Sequence, residues 1–168
     1  MSNDVLLGKT VVITGATAGI GLAAACALAE QGARLIGVGR DPVRCEAAGK
    51  VIQQANPNAV VQFLQADLAL QSEVRRLATE IGETLTRWGV PGLDVLVNNA
   101  GMIASSLQRT SEGIERTLAV NHLAPFLLTH QLLPWLQAAR PGRVITTSSE
   151  SHYRTWINPK RINHPLIY

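Results

Sequence analysis

Short apolar runs rich in β-branched residues alternate along this chain with longer stretches whose apolar positions recur every three or four residues. The runs are TVVITG (10–15), RLIGVG (34–39), VVQFLQA (60–66), DVLVNNA (94–100) and RVITTSS (143–149). Helical patterns fill 20–31, 42–54, 71–87 and 111–139 between them. A strand that is apolar almost throughout is buried on both faces, and strands separated by helices pair in parallel, because each crossover returns the chain to the same end of the sheet. The pattern therefore predicts an α/β chain of five parallel strands with helices on both faces. Punctuation agrees: Gln31-Gly32 closes the first helix, Asp41 before Pro42 opens the second, and Ser111-Glu112 opens the fourth. Residues 151–168 hold two prolines and no period, and read as a loop behind a single domain of residues 1–150.

Composition narrows the function classes. With 168 residues, 46% hydrophobic and 16% charged, the chain is long and apolar enough to bury a core. No apolar run approaches the ~20 residues of a membrane helix, and MSNDVLLGKT lacks the basic and apolar regions of a signal peptide. Cys26 and Cys45 make neither a disulfide framework nor a metal cluster, so a reducing, cytoplasmic setting and no metal are expected. The net charge of +3 lies wholly in the tail: residues 1–150 balance twelve basic against twelve acidic side chains, and Arg154, Lys160 and Arg161 follow. No Lys/Arg cluster is interleaved with aromatics, so the tail reads as a solvated basic loop and not as a nucleic-acid face.

The first strand runs straight into a helix through VVITGATAGIG, with glycines at 15, 19 and 21. Such a turn carries the unpaired amides and positive dipole end of a helix to the carboxyl edge of the sheet. Glycines let that backbone turn tightly and approach a pyrophosphate. The same spacing also suits a tight turn with no ligand. GKT at 8–10 is not a nucleoside-triphosphate loop, since it precedes the strand and Asn3 stands where that motif needs its first glycine.

TGATAGIG resembles the Thr-Gly-x-x-x-Gly-Ile-Gly signature of the short-chain dehydrogenase/reductase family. Four further matches follow in that family's order: Asp67 in ADL, NNAG at 98–101, Asn121 in NHLAPFLLT, and the serine pair of VITTSSESH. The last two are most similar to the retinol-dehydrogenase-type branch. The resemblance implies a Rossmann-type doubly wound sheet that binds a nicotinamide dinucleotide through Thr14, Gly15, Thr17, Gly19, Ile20 and Gly21. It also implies that Asp67 and Leu68 meet the adenine and that Asn98, Ala100 and Gly101 shape the floor beneath the cofactor. Arg40 ends the second strand, nineteen residues past Gly21, where an acidic residue would favour NAD; a permanently charged guanidinium there favours the 2′-phosphate of NADP.

The same resemblance makes Ser149 the donor to a substrate carbonyl. It also gives Asn121, four residues before Pro125, a carbonyl freed to hold a proton-relay water; Pro125 has no N–H, so a kink is expected there in any case. No Gly-x-Ser-x-Gly elbow surrounds Ser149, which argues against a hydrolase built on Ser149 and His152. Family chemistry needs a tyrosine followed four residues later by a lysine that lowers its pKa. Here Tyr153 is followed four places on by Ile157, and the lysines are Lys9, Lys50 and Lys160. Tyr168 is the remaining candidate, but it lies nineteen residues past Ser149, farther than the resemblance calls for, and reads more readily as a loop residue. The expectation is the amino-terminal two-thirds of an NADP(H)-dependent oxidoreductase acting on a small alcohol or carbonyl. This chain would stop before the family's last helix and strands, with residues 151–168 beginning an incomplete catalytic segment. The alternative is a non-catalytic dinucleotide-binding module that forms a homo-oligomer or docks on a partner through an open sheet edge.

Overall fold

In the computed structural model, which describes residues 5–150 and 162–163, the five apolar runs form one parallel sheet in the order β3-β2-β1-β4-β5. The strands are β1 (Thr10–Thr14), β2 (Arg34–Gly39), β3 (Val61–Gln65), β4 (Val95–Asn98) and β5 (Arg143–Thr146). The chain winds outward from β1 to β3, then crosses back to place β4 and β5 on the other side of β1. That reversal puts a crevice at the carboxyl ends of β1 and β4, where doubly wound sheets hold their ligands.

Alternation along the strands divides the core into two layers. Val12, Ile36, Val38 and Leu96 face α3 (Gln71–Arg87) and α5 (Ala124–Ala139), and pack on Val74, Leu77, Ile81, Leu128 and Leu132. Val11, Ile13 and Leu35 face the other way, onto α1 (Gly19–Glu30) and α2 (Pro42–Ala55), where Ala25, Ala29 and Ile52 meet them. Each fully buried Val, Leu or Ile here contributes roughly 1.5–3 kcal/mol from its removal from water. At the amino ends of the strands, Asp94 ties β4 to β1. One carboxylate oxygen accepts from Lys9 Nζ at 2.8 Å and the other from the Thr10 amide at 2.9 Å.

Helix ends follow the sequence punctuation in the first half of the chain. The amides of Gly32 and Ala33 return to the carbonyls of Ala29 and Leu28 and close α1. Asp41 caps α2 by accepting from the Arg44 amide at 3.0 Å, with Pro42 in the first turn.

The fourth helix differs from its expectation in two ways. It begins at Arg116, not at Ser111-Glu112, because residues 108–116 fold back as a hairpin. There Arg109 bridges Glu115, and the Thr110 amide donates to Ile114. Glu115 caps the short α4 (Arg116–Leu118), its two oxygens accepting from the amides of Thr117 and Leu118 at 2.7 Å each. The expected kink is a π-helical turn, Ala119–Leu123, between α4 and α5. Ala124 donates its amide to the carbonyl of Ala119, five residues back, and Pro125 has no N–H to continue either ladder.

Candidate functional site

All five strands end at one cleft of about 640 Å³. It is lined by Gly15, Thr17 and Ile20 after β1, Arg40 after β2, Asp67 and Leu68 after β3, Ala100 to Met102 after β4, and Thr147 after β5. A cleft of this size suits a cofactor-sized molecule.

The glycine-rich turn forms the base of the cleft. Ala18 precedes α1 in extended conformation and no side chain caps the helix, so the first amides of α1 lack helical acceptors. Gly19 has φ +53 and nothing within 4 Å of the position a Cβ would occupy. Its neighbours Ala18, Ile20 and Gly21 line the cleft. A Cβ on Gly21 would sit 2.2 Å from the Gly15 carbonyl oxygen and 2.6 Å from Asn99 Nδ2. Only a bare Cα lets the helix start so close to the turn.

Asn99 and Thr14 lock the turn to the end of β4. Asn99 Nδ2 donates to the Thr14 carbonyl at 3.1 Å, and the Thr14 hydroxyl accepts from the amides of Asn99 and Ala100 at 3.1 and 3.0 Å. Thr14 is buried, and its hydroxyl is committed beneath the cleft; it does not line the cleft surface. Asn98 is buried below as well, its Nδ2 donating to Thr129 Oγ1 at 3.0 Å.

The family profile described as short chain dehydrogenase matches residues 9–158. This chain belongs to the short-chain dehydrogenase family. The match runs through the strands and loops that build the cleft. Human dehydrogenase/reductase SDR family member 13 is 42% identical over 162 residues, covering 96% of this chain and 41% of that protein. Human retinol dehydrogenase 13 is 40% identical, over 90% of this chain and 44% of its own length. The chain thus spans about two-fifths of the length of these curated relatives. A metagenomic short-chain oxidoreductase solved in complex with NADP superposes with a TM-score of 0.73 at 33% identity, over 86% of this chain and 63% of that one. The similarity to the retinol-dehydrogenase-type branch is borne out, and with it an oxidoreductase family that binds nicotinamide dinucleotides.

Within this short-chain dehydrogenase, the remaining sequence-selected residues divide by position. Arg40 is exposed at the cleft rim, and its carbonyl accepts from Gln65 Nε2 at 3.1 Å. Arg44, which the sequence reading passed over, lines the same rim from the first turn of α2. The signal for it was present: one turn into a helix capped at Asp41 returns a side chain to the rim. Asp67 Oδ1 accepts from the Ala69 amide at 3.0 Å and shapes the turn that carries Leu68.

Asn121 stands in the π turn and does not line the cleft. Its side chain clamps the segment after NNAG, accepting from the Met102 amide at 2.9 Å and donating to the Met102 carbonyl at 2.7 Å. Ser149 lies exposed three residues past β5, two beyond Thr147, whose hydroxyl donates to Asn99 Oδ1 at 3.3 Å. Tyr168, like Tyr153 and His152, lies outside the described residues. Among the described residues no helix is long and apolar enough to cross a membrane.

Proposed function

We propose that this chain is the dinucleotide-holding part of an NADP(H)-dependent oxidoreductase that exchanges hydride with a small alcohol or carbonyl compound. The observation that carries this reading is the convergence of five strand ends and the uncapped start of α1 on one cleft, lined by Ala18, Ile20 and Gly21 and rimmed by Arg40 and Arg44. The residues present fit such a cofactor. The amides of Gly19, Ile20 and Gly21 would bind its diphosphate, Asp67 and Leu68 its adenine, and the floor of Ala100 and Gly101 its nicotinamide end. Asp41 lines the same rim, and its Oδ1 accepts from the Arg44 amide as the α2 cap. Two guanidinium groups at one rim suit the negative charge of a 2′-phosphate, which supports NADP over NAD.

The bound cofactor supplies or accepts the hydride; the chain's own residues orient and hold. Ser149 is the proposed donor to the substrate oxygen. Asn121, with its side chain spent on Met102, leaves its backbone carbonyl, four residues before Pro125, for a water. Tyr168 is retained as the general acid/base candidate. With no Tyr-x-x-x-Lys among these 168 residues, we assign them binding and very low turnover of their own. Residues 1–150 then form the dinucleotide domain, and the free thiols Cys26 and Cys45 suit a cytoplasmic setting.

Fluorescence titration tests this. NADPH should bind about ten- to a hundredfold tighter than NADH, and Arg40→Asp should remove most of that difference. Equal affinity for both cofactors overturns the NADP assignment, and no binding of either overturns the function.

A second reading, a non-catalytic module that docks through the sheet edge, draws on β5. All four of its residues are exposed, with Val144 at 45% and Ile145 at 51%.

A further inference from the structure

The amino end of α3 has a partner that its own sequence does not provide. Leu70 stands at the cap position and offers no side-chain oxygen, so the first amides of α3 have no local acceptor. Glu112, forty residues away at the tip of the 108–116 hairpin, fills the gap. Its Oε2 accepts from the Gln71 amide at 2.6 Å, and its Oε1 from the Ser72 amide at 3.0 Å and the Ser72 hydroxyl at 2.8 Å. These bonds, with the Ser72 amide foremost, hold the Glu112 carboxyl below the usual carboxylate range. It is therefore charged at neutral pH, facing the positive end of the α3 dipole.

Two connections give this cap a reach beyond α3. On one side, the Leu70 amide donates to the Asp67 carbonyl and the Ala69 amide to Asp67 Oδ1, both at 3.0 Å. The Leu70 carbonyl in turn accepts from the Val74 amide at 3.1 Å, so Leu70 links the first turn of α3 to the Asp67–Leu68 wall of the cleft. On the other side, the hairpin that carries Glu112 is anchored by Asn163. Its Oδ1 accepts from the Glu115 amide at 2.6 Å, and its carbonyl accepts from Arg109 Nη2 at 2.9 Å. The hairpin is also closed by its own bonds, from Arg109 Nη1 to the Gly113 carbonyl at 2.9 Å and from the Thr110 amide to the Ile114 carbonyl at 2.8 Å.

We propose that Glu112 is a positioning residue for the adenosine end of the cleft, capping α3 from across the chain and thereby holding the Asp67–Leu68 wall in place. This rests on the dinucleotide reading above and adds to it a residue that touches no part of the cofactor. Asp67 and Leu68 would keep their identity in a Glu112 variant and lose their placement.

The test measures binding of 2′,5′-ADP, which carries only the adenosine half, and of NADPH, to the full 168-residue chain. Glu112→Ala should weaken 2′,5′-ADP by about three- to thirtyfold, the range expected when a helix cap is lost and its effect is passed on to the ligand. NADPH should weaken by the same factor. Glu112→Gln, which keeps one carbonyl acceptor, should recover part of the loss. Amide exchange over 67–74 in the ligand-free chain should quicken in Glu112→Ala and change less in Ser72→Ala, which removes only the hydroxyl donor and also serves should the alanine variant fail to fold. Wild-type affinity in Glu112→Ala overturns the proposal, as does a Glu112→Gln variant no better than Glu112→Ala. A loss for NADPH much larger than for 2′,5′-ADP also overturns it, since the lesion would then lie at the nicotinamide end. Failure of the wild-type chain to bind either ligand sinks the dinucleotide reading itself, a different outcome from wild-type binding that ignores Glu112.

Discussion

Gly19 and Gly21 lie two residues apart and fail differently when a side chain is added. At Gly21 the intruding Cβ meets a backbone carbonyl at 2.2 Å, which cannot swing away as a side chain would. Gly21→Ala is expected to cost about 1–3 kcal/mol, lowering the melting temperature by roughly 3–10 °C in calorimetry. At Gly19 the surroundings are open but φ is +53, so Gly19→Asp adds about 1 kcal/mol of backbone strain, which Asp tolerates better than most residues. The substitution acts mainly on binding, by placing a carboxylate beside the amides proposed to hold a diphosphate. Its NADPH affinity should fall at least about tenfold, the order of one charge-assisted interaction lost. A Gly19→Asp variant that binds normally would show that the diphosphate lies elsewhere. Thr14 belongs to the same scale: the signature motif singles it out, yet its hydroxyl works under the cleft, fastening β1 to the turn after β4.

Elements were legible wherever their signals are local. The β2 and α3 ranges coincide with the expectation, and the Asp41-Pro42 start of α2 and the Gln31-Gly32 end of α1 are as read. The stretch 111–139 was misread because its apolar period continues through a segment that is not one regular helix. Ser111-Glu112 looks like a helix start, but the Glu112 carboxylate is taken by α3 and the work of capping passes to Glu115. Glu115 is 4% exposed with both oxygens bonded to helix amides. Glu115→Ala should therefore cost about 1–2 kcal/mol, read as a lower urea midpoint at unchanged slope. Glu115→Gln, which keeps an acceptor, should lose less. Equal midpoints for wild type and Glu115→Ala would mean that the hairpin alone sets the helix start.

For the molecule as a whole, the exposed flank is β5. Among the described residues it pairs with β4 alone, and Val144 and Ile145 leave about half their surface in water. A parallel sheet ordinarily has both faces covered, and an apolar edge strand with free amides and carbonyls recruits other strands. Sedimentation of the wild-type chain should show self-association that rises with concentration. Val144→Lys with Ile145→Lys should shift it toward monomer and leave NADPH affinity unchanged. A strictly monomeric wild type would remove the docking reading. The cleft lies at the carboxyl ends of the strands and the apolar flank along one side of the sheet, so these substitutions are expected to act on association and not on binding.

The order of elements, the parallel sheet, the glycine-rich turn and the arginine at the end of β2 were all written in local patterns: residue period, turn chemistry and short motifs. These depend on neighbours within a few positions, which a linear reading can see. The sharing of Asn99 between β1, β4 and Thr147, the capping of α3 by Glu112 and the bonds of Asn163 to the hairpin were decided only by the tertiary structure. Each joins groups that the chain separates by tens of residues. A hydrogen bond depends on the distance and angle between its two groups, which no one-dimensional spacing encodes.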